Sequence, residues 1–239
     1  MKVKRFLLAT AGLVFVSALA PAAASAATIE LGATPTAITQ PTCPKGVAPK
    51  SCTIILTQAT GLETIRDGVD YPTTVKKDGV IVAWTAGLAQ LSSSRTAERG
   101  FIHILDMNYG GVPQAAIVVL KSGAKRRWTV VASSPVQHLI QFLGMVVQFP
   151  LAAPIPVTRG EVIGLSVPTW APVLEYKLPV KKFAYRQSRM ANCANAANSQ
   201  QVQIKTGDNA RYLCNYPGTR VEYSATEIPT PVAPKNYVH

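Results

Sequence analysis

The residues that could do acid–base or nucleophilic chemistry are few in this chain of 239 residues. Three histidines occur, His103, His138 and His239, and the last of these ends the chain. His103 shares one face of the alternating run Phe101–Met107 with apolar neighbours, which favours a half-buried strand histidine over a catalytic one. Asp106 would lie on the opposite face of that strand, so we do not expect the two groups to form a catalytic pair.

Carboxyl groups are the other candidates, because glycoside hydrolysis uses two acids that meet only in the folded chain. The densest acidic group is Glu63, Asp67 and Asp70, in the segment Gly61–Asp70 that we interpret as a loop. Acids in such a loop more often neutralise a neighbour such as Arg66 or interact with solvent than act as a catalytic pair. The chain contains neither a Gly-x-Ser-x-Gly turn nor a His-Glu-x-x-His zinc motif. We therefore predict no catalytic residues, no metal and no cofactor, which indicates a protein that is not an enzyme.

The first 26 residues have the three zones of a secretory signal peptide. Positive residues at positions 2, 4 and 5 precede the apolar run Phe6–Ala20, and Ala24-Ser25-Ala26 matches a cleavage site. The apolar run is shorter than the roughly 20 residues that a spanning helix needs. We expect the mature protein to begin at Ala27, to have no transmembrane segment, and to be secreted, with association to the cell surface as a further option.

Four cysteines follow this leader, at Cys43, Cys52, Cys193 and Cys214. An even number in an exported chain predicts disulfides, and four cysteines allow three pairings. A zinc site is not favoured, because Cys-x-x-Cys spacing with a nearby His does not occur. We prefer Cys43 with Cys52 and Cys193 with Cys214, since these pairings close the shorter loops.

Positive charge is the clearest functional signal. Lys and Arg number 24 against 12 Asp and Glu, a formal net charge of +12. The positive residues form two clusters, Lys121/Lys125/Arg126/Arg127 and Lys177/Lys181/Lys182/Arg186/Arg189. For an exported protein the abundant polyanions are teichoic acids, acidic glycans and lipid head groups, and no nucleic-acid motif accompanies the charge. The hairpin residues Lys125, Arg126 and Arg127 are the predicted contacts, and a solubilising surface is the alternative.

Aromatic residues can also bind sugars by stacking, and three tryptophans are candidates. Trp84 and Trp128 lie in alternating runs that point them inward. Trp170 lies between Pro168 and Pro172 in a segment that we interpret as an irregular loop. An exposed ring there could stack on a sugar, whereas a buried ring would close the end of the fold.

Short apolar runs separated by turn residues predict an all-β protein. Hydrophobic residues make up 48% of the chain and charged residues 15%, which excludes disorder, and 18 Pro with 16 Gly argue against long helices. The predicted strands are Val80–Trp84, Phe101–Met107, Ala115–Leu120, Trp128–Ala132, Gln141–Phe149, Ile155–Thr158, Glu161–Val167, Val173–Leu178, Gln201–Lys205 and Arg220–Ala225. The runs on either side of Lys121–Arg127 and of Arg159-Gly160 are typical of hairpins, and Gln141–Phe149, apolar on both faces, is typical of a central strand.

Two motifs point to a family. The run Lys77-Asp-Gly-Val-Ile-Val-Ala-Trp84 resembles the "dGvVtrW" strand of a group of exported actinobacterial proteins, and Pro156–Leu165 resembles their "pV.aGD.IGl" hairpin, with Glu161 in place of the usual Asp. Cys52-Thr53 and Val221–Ala225 also match, so the resemblance covers about residues 43 to 226. It implies a jelly-roll-like β-sandwich and no established activity.

The sequence thus predicts one antiparallel, jelly-roll-like β-sandwich domain at residues 27–227 with two disulfides, followed by a flexible tail at 228–239. We expect a secreted or envelope-associated binding module for an anionic envelope polymer or glycan. A secreted hydrolase of envelope polysaccharide and a structural coat component are the alternatives. The sequence does not predict an oligomeric state.

Overall fold

The structure is a computed structural model that describes residues 27–47, 52, 54–189, 193 and 200–231. The predicted signal peptide and the end of the predicted tail lie outside these residues. Within them, the chain forms one α-helix, α1 (Arg95–Tyr109), and a series of strands. The strands are β1 (Ile29–Leu31), β2 (Leu56–Arg66), β3 (Val69–Asp70), β4 (Gly79–Gly87), β5 (Gln114–Ser122), β6 (Arg127–Ser133), β7 (Gln137–His138), β8 (Val146–Val157), β9 (Val162–Ala171), β10 (Leu174–Tyr176), β11 (Phe183–Gln187), β12 (Asn209–Arg211), β13 (Cys214–Pro217), β14 (Thr219–Val221) and β15 (Tyr223–Pro229).

The strands form a small sheet packed against a large curled one. The small sheet has the order β1-β15-β4-β8, and the curled sheet has the order β12-β6-β5-β9-β2-β11-β13, with β3 beside β2 and β7 beside β5. β10 and β14 form a separate pair. Register shifts within β2, β5 and β11 increase the local twist. The two edge strands of the curled sheet, β12 and β13, are separated in the chain by only Tyr212 and Leu213.

A core lies on each face of the curled sheet, and β5 contributes to both. Ile117 and Val119 join the core between the two sheets, while Val118 and Leu120 join a second core on the opposite face. This alternation explains why β5 is apolar at consecutive positions. The predicted antiparallel β-sandwich is confirmed, as are both disulfides, Cys43–Cys52 and Cys193–Cys214, and the β5–β6 hairpin.

The segment Phe101–Met107 is helical, so the predicted strand there is wrong. Ser94 caps the helix N-terminus by accepting a hydrogen bond from the Ala97 backbone N–H, and Gly110, with φ 84°, ends it in the left-handed conformation. This segment is apolar at nearly every position, so its pattern fits the two-residue period of a strand and the 3.6-residue period of a helix equally well. His103 is exposed on this helix and is not a half-buried strand residue.

Three other strand predictions are also corrected. Of the segment predicted as central, Gln141–Phe149, only the last four residues lie in a strand; they begin β8, which pairs only with β4 and is an edge strand carrying several prolines. The Arg159-Gly160 turn exists, but β8 and β9 enter different sheets and do not form a hairpin. Gln201–Lys205 forms no strand. The predicted tail begins too early, because Ile228 and Pro229 still pair with β4.

Candidate functional site: a basic surface

Several strand ends meet at one end of the curled sheet, which we call the basic end. β9 begins at Val162, which pairs with Leu120 near the end of β5. β2 ends at Arg66, which pairs with Phe183, the first residue of β11. The turn between β5 and β6 and the segment before β11 therefore lie at the same end of the sheet, and these two stretches hold most of the positive residues predicted from the sequence.

The turn between β5 and β6 presents Lys125 and Arg126 to solvent. Both are exposed, and both have left-handed backbone conformations, with φ 56° and 59°. Such conformations are uncommon for residues other than Gly and persist where the surrounding structure holds them. The Arg126 carbonyl accepts a hydrogen bond from the Tyr212 N–H at 3.0 Å, which fixes the turn against the segment between β12 and β13. Arg127 begins β6 and donates through Nη1 to Asn209 Oδ1 at 3.0 Å.

Arg186 brings the second basic cluster to the same place. Its Nη1 donates to the carbonyl oxygens of Tyr212 and Leu213, at 3.2 and 3.4 Å. Residue 212 thus contacts both Arg126 and Arg186. Burial lowers the pKa of Arg186, and the positive charge of Arg126 lowers it further. Two guanidinium groups from distant parts of the sequence are therefore close enough to repel each other, and a bound anion would relieve this repulsion.

A shallow cavity of about 280 Å³ lies within this group, lined by Lys125, Arg126, Arg211 and Leu213. Arg211 Nε is buried and makes no hydrogen bond in the described part of the chain. Arg211 is partly exposed as a residue, so the accessible part of its guanidinium could contact an anion that enters the cavity. Arginine is suited to this role because its guanidinium can bind phosphate or carboxylate through two parallel hydrogen bonds.

Tyr71 places an aromatic ring beside these arginines. It is 37% exposed, its φ is 43°, and its ring centroid lies 6.0 Å from that of Trp128. The Tyr71 phenol also acts on the pKa of Arg186, in the direction opposite to burial and Arg126. Tyr71 is not recognisable as a site residue from the sequence, because its neighbours Asp70 and Pro72 suggest only a turn. The left-handed conformation of Tyr71 and the exposure of its ring are visible only in the folded structure.

The positive charge extends beyond the arginine cluster. Lys121 and Arg159 line a second cavity of about 310 Å³ together with Glu161. Glu161 is engaged locally, because its Oε2 accepts the Thr158 N–H at 2.7 Å. Lys181 and Lys182 are exposed, and the Lys182 carbonyl accepts the Gly68 N–H at the turn between β2 and β3. Among the described residues, every ion pair within 4.0 Å involves Arg66 or Arg220, so the other lysines and arginines of the basic end form no ion pair within that part of the chain.

Trp170 is not a sugar platform, and the expectation that it binds a ligand is corrected. It lies in β9 with no exposed surface. Its Nε1 donates to Asp106 Oδ1 at 2.9 Å and to the Gly111 carbonyl at 3.0 Å. The ring therefore fastens α1 to the curled sheet, as expected for a tryptophan that closes the end of the fold. Of the four predicted ligand contacts, Lys125, Arg126 and Arg127 lie together and Trp170 lies elsewhere.

Two of the acids considered for catalysis, Glu63 and Asp67, are structural groups, and Asp70 is exposed at the end of β3. The predicted loop Gly61–Asp70 is instead the second half of β2 and its turn into β3. Glu63 is fully buried and pairs with Arg66 at 3.3 Å, so the expected neutralisation of Arg66 is confirmed. Asp67 accepts hydrogen bonds from the Thr36 backbone N–H and hydroxyl, at 2.8 and 2.7 Å. These contacts engage both acids within the fold.

A second buried acid lies near Arg220. Glu222 forms an ion pair with Arg220, which also contacts Glu175 at 3.3 Å. Burial raises the pKa of Glu222 to about 7, against the opposing hydrogen bond from Arg220. A raised carboxyl pKa is a property of general acids. Glu222, however, has no exposed surface and also accepts the Thr39 N–H, so a substrate could not reach it in this structure.

No protein-family model, no curated protein and no solved structure matches the chain. The resemblance to exported actinobacterial sandwich proteins therefore stays a prediction. In the portion that the structure describes, no three His, Cys, Asp or Glu side chains converge as metal ligands would. None of the described helices has the length and apolar character that crossing a bilayer requires. The two disulfides indicate a compartment outside the reducing cytoplasm.

Proposed function

We propose that this chain is a non-catalytic, exported protein that binds an anionic polymer or glycan of the cell envelope through its basic end. The observation that carries the proposal is the convergence of Arg126 and Arg211 around one cavity, with Arg186 close to Arg126, and none of the three forms an ion pair with a carboxylate in the described part of the chain. Folding brings these like charges together although their repulsion opposes it, which is typical of a site that binds negative charge.

The shape of the surface favours a polymer over a small anion. The cavity at Lys125 is shallow, and exposed positive residues continue from it to Lys121 and to Lys182. A polymer with a repeating phosphate or carboxylate could contact several of these groups at once, and each contact would add affinity and salt dependence. Tyr71 offers a partly exposed ring on which a sugar unit could stack.

Export and envelope association are part of the same proposal. The leader at residues 1–26 has the signal-peptide pattern, and the disulfides Cys43–Cys52 and Cys193–Cys214 agree with an oxidising destination. Anionic envelope polymers are the abundant polyanions that such a protein would meet. The alternative of a polysaccharide hydrolase has less support, because Glu63 and Glu222 are buried.

The test is a salt titration of binding to poly(glycerol phosphate), a teichoic acid backbone, with neutral dextran as comparator. We expect the protein to bind the polyanion, and we expect the logarithm of the binding constant to fall linearly with the logarithm of the salt concentration. The double variant Lys125→Gln/Arg126→Gln should weaken binding and reduce the slope by about 1 to 2, by analogy with the release of one counterion per contact.

The matched control is Arg95→Gln/Arg99→Gln, which removes the same charge from α1. It should leave both affinity and slope unchanged, whereas Tyr71→Ser should lower affinity to a glycosylated polymer without changing the slope. An affinity that does not change with salt concentration, or equal effects of the two double variants, would contradict the proposal.

A further inference from the structure

Exposed apolar residues concentrate at the end of the molecule opposite the basic end. β5 runs from Gln114 to Ser122, so its two termini are separated by roughly 27 Å at the usual rise per residue. Near Gln114, hydrogen bonds join the connecting loops, from the Leu139 N–H to the Pro113 carbonyl and from the Leu88 N–H to the Met145 carbonyl. The exposed large hydrophobic residues on α1 and these loops are Phe101, Ile104, Met107, Val112, Ile140, Met145 and Val146. We call this set the apolar end.

Helix α1 exposes an apolar face to solvent. Phe101, Ile104 and Met107 are 41%, 55% and 74% exposed, and their spacing of three residues places them along one side of the helix. Leu105, four residues after Phe101, is the one buried residue of this helix. The exposed row therefore borders the buried side of α1, and packing within the described chain does not cover it.

The charged residues of α1 differ in their contacts. Both acids are engaged by other parts of the chain, because Glu98 Oε1 accepts the Leu91 N–H at 3.3 Å and Asp106 Oδ1 accepts the Trp170 Nε1–H. Arg95 and Arg99, one helical turn apart, are both exposed in the first turns of the helix. The exposed part of α1 thus carries positive charge at its N-terminal end and the apolar row towards its C-terminal end.

An apolar cavity of about 320 Å³ continues this surface. It lies between α1 and the Cys43–Cys52 disulfide, and Ile54, Ile55, Leu91 and Phe101 contribute to its lining. Its lining is mostly apolar and it opens beside the exposed face of Phe101. Such a cavity could accept part of a hydrocarbon chain.

We propose that the apolar end binds the surface of an anionic lipid bilayer, with α1 lying in the plane of the interface. Phe101, Ile104 and Met107 would enter the boundary between head groups and acyl chains, and Arg95 and Arg99 would contact lipid phosphates. An amphipathic helix with basic flanking residues is the recognised form of such an anchor. The positive flank is the reason to favour an anionic bilayer over a second copy of this chain, since two such faces would repel each other.

This proposal does not depend on the proposed function, because it uses the opposite end of the molecule. Bound in this way, the protein would hold its basic end away from the bilayer, directed towards the envelope polymer. One protein could then bridge the membrane surface and the polymer layer.

The test is co-sedimentation of mature protein with vesicles of phosphatidylglycerol and phosphatidylcholine, and with vesicles of phosphatidylcholine alone. We expect binding to the anionic vesicles and at least tenfold weaker binding to the neutral ones. The triple variant Phe101→Ser/Ile104→Ser/Met107→Ser should raise the lipid concentration for half-binding at least tenfold. Arg95→Gln/Arg99→Gln should weaken binding to anionic vesicles and leave polymer binding intact.

The matched control is Val69→Ser/Val180→Ser, which removes exposed apolar residues near the basic end and should bind vesicles like wild type. Met107→Glu, at the most exposed of the three positions, is a second variant that should also weaken vesicle binding. Its folding is checked by an unchanged melting temperature. Failure of the wild type to bind anionic vesicles would overturn the proposal. So would wild-type binding by the triple variant, or a dimer in solution that the triple variant dissociates.

Discussion

Raising the pH from 5 to 8 should destabilise this fold, because buried carboxyl groups must ionise within it. Burial raises the pKa of Glu63 to about 7, although the charge of Arg66 opposes the shift. Burial likewise raises the pKa of Glu222 to about 7, and it raises the pKa of Glu227 against the charge of Lys77. All three groups act in the same direction.

The sign follows from proton binding. In the unfolded chain a glutamate titrates near its ordinary value of 4.5, so between that value and about 7 the folded state binds more protons than the unfolded state. The stability from each group is fully present below pH 4.5 and is lost as pH rises through the folded-state pKa. A pKa raised from 4.5 to about 7 corresponds to a loss of roughly 3 kcal/mol in the free energy of unfolding over this pH range, for Glu63 and again for Glu222.

The assay is urea unfolding of the oxidised protein at a series of pH values between 4.5 and 8. The free energy of unfolding of the wild type should fall across this range. Glu63→Gln, which mimics the protonated acid, should lose roughly 3 kcal/mol less than the wild type between the lowest and the highest pH. The control is Asp67→Asn. Burial acts to raise the pKa of Asp67, but hydrogen bonds from Thr36 and Thr34 outweigh it and lower the pKa. Its titration therefore lies below the tested range, and this variant should keep the wild-type slope. Stability that is constant or rises from pH 5 to 8 would refute the reasoning.

Two further predictions concern packing and can be checked by thermal unfolding. Trp170→Phe removes the indole donor and leaves the Asp106 carboxylate without it, so we expect a loss of about 1–3 kcal/mol; an unchanged melting temperature would show that this hydrogen bond does not hold α1. Gly87→Ala places a Cβ 1.8 Å from the Thr39 carbonyl oxygen and should cost about 1–3 kcal/mol or more, whereas Gly100→Ala meets nothing within 4 Å in α1 and should stabilise by roughly 0.5–1 kcal/mol. Equal effects of the two glycine substitutions would contradict the close approach at Gly87.

Local signals in the sequence were sufficient for much of the fold. The β5–β6 hairpin follows from two apolar runs around the turn Lys121–Arg127, and the disulfides follow from the short spacing of their cysteines. Phe101–Met107 was misassigned because helix and strand periods are both satisfied by a nearly continuous apolar run. The capping residues Ser94 and Gly110 were the informative signals there.

The candidate site was predictable only in part. The basic clusters around Arg126 and Arg186 are visible in the sequence, but their proximity depends on the return of the chain at Tyr212, between the two edge strands of the curled sheet. Long-range strand order of this kind leaves no local signal. Trp170 was misjudged because flanking prolines suggested a loop, whereas β9 continues through Pro168.

Mapping the contact surface of the polymer tests the central claim most directly. Backbone amide NMR shifts of isotope-labelled mature protein should be followed as a short poly(glycerol phosphate) oligomer is added at low salt. We predict that the shifted amides cluster around Tyr71, Lys125, Arg126, Arg186 and Arg211, and that α1 is unaffected. Shifts confined to other surfaces, or no shifts at oligomer concentrations that saturate binding of the full polymer, would contradict the account.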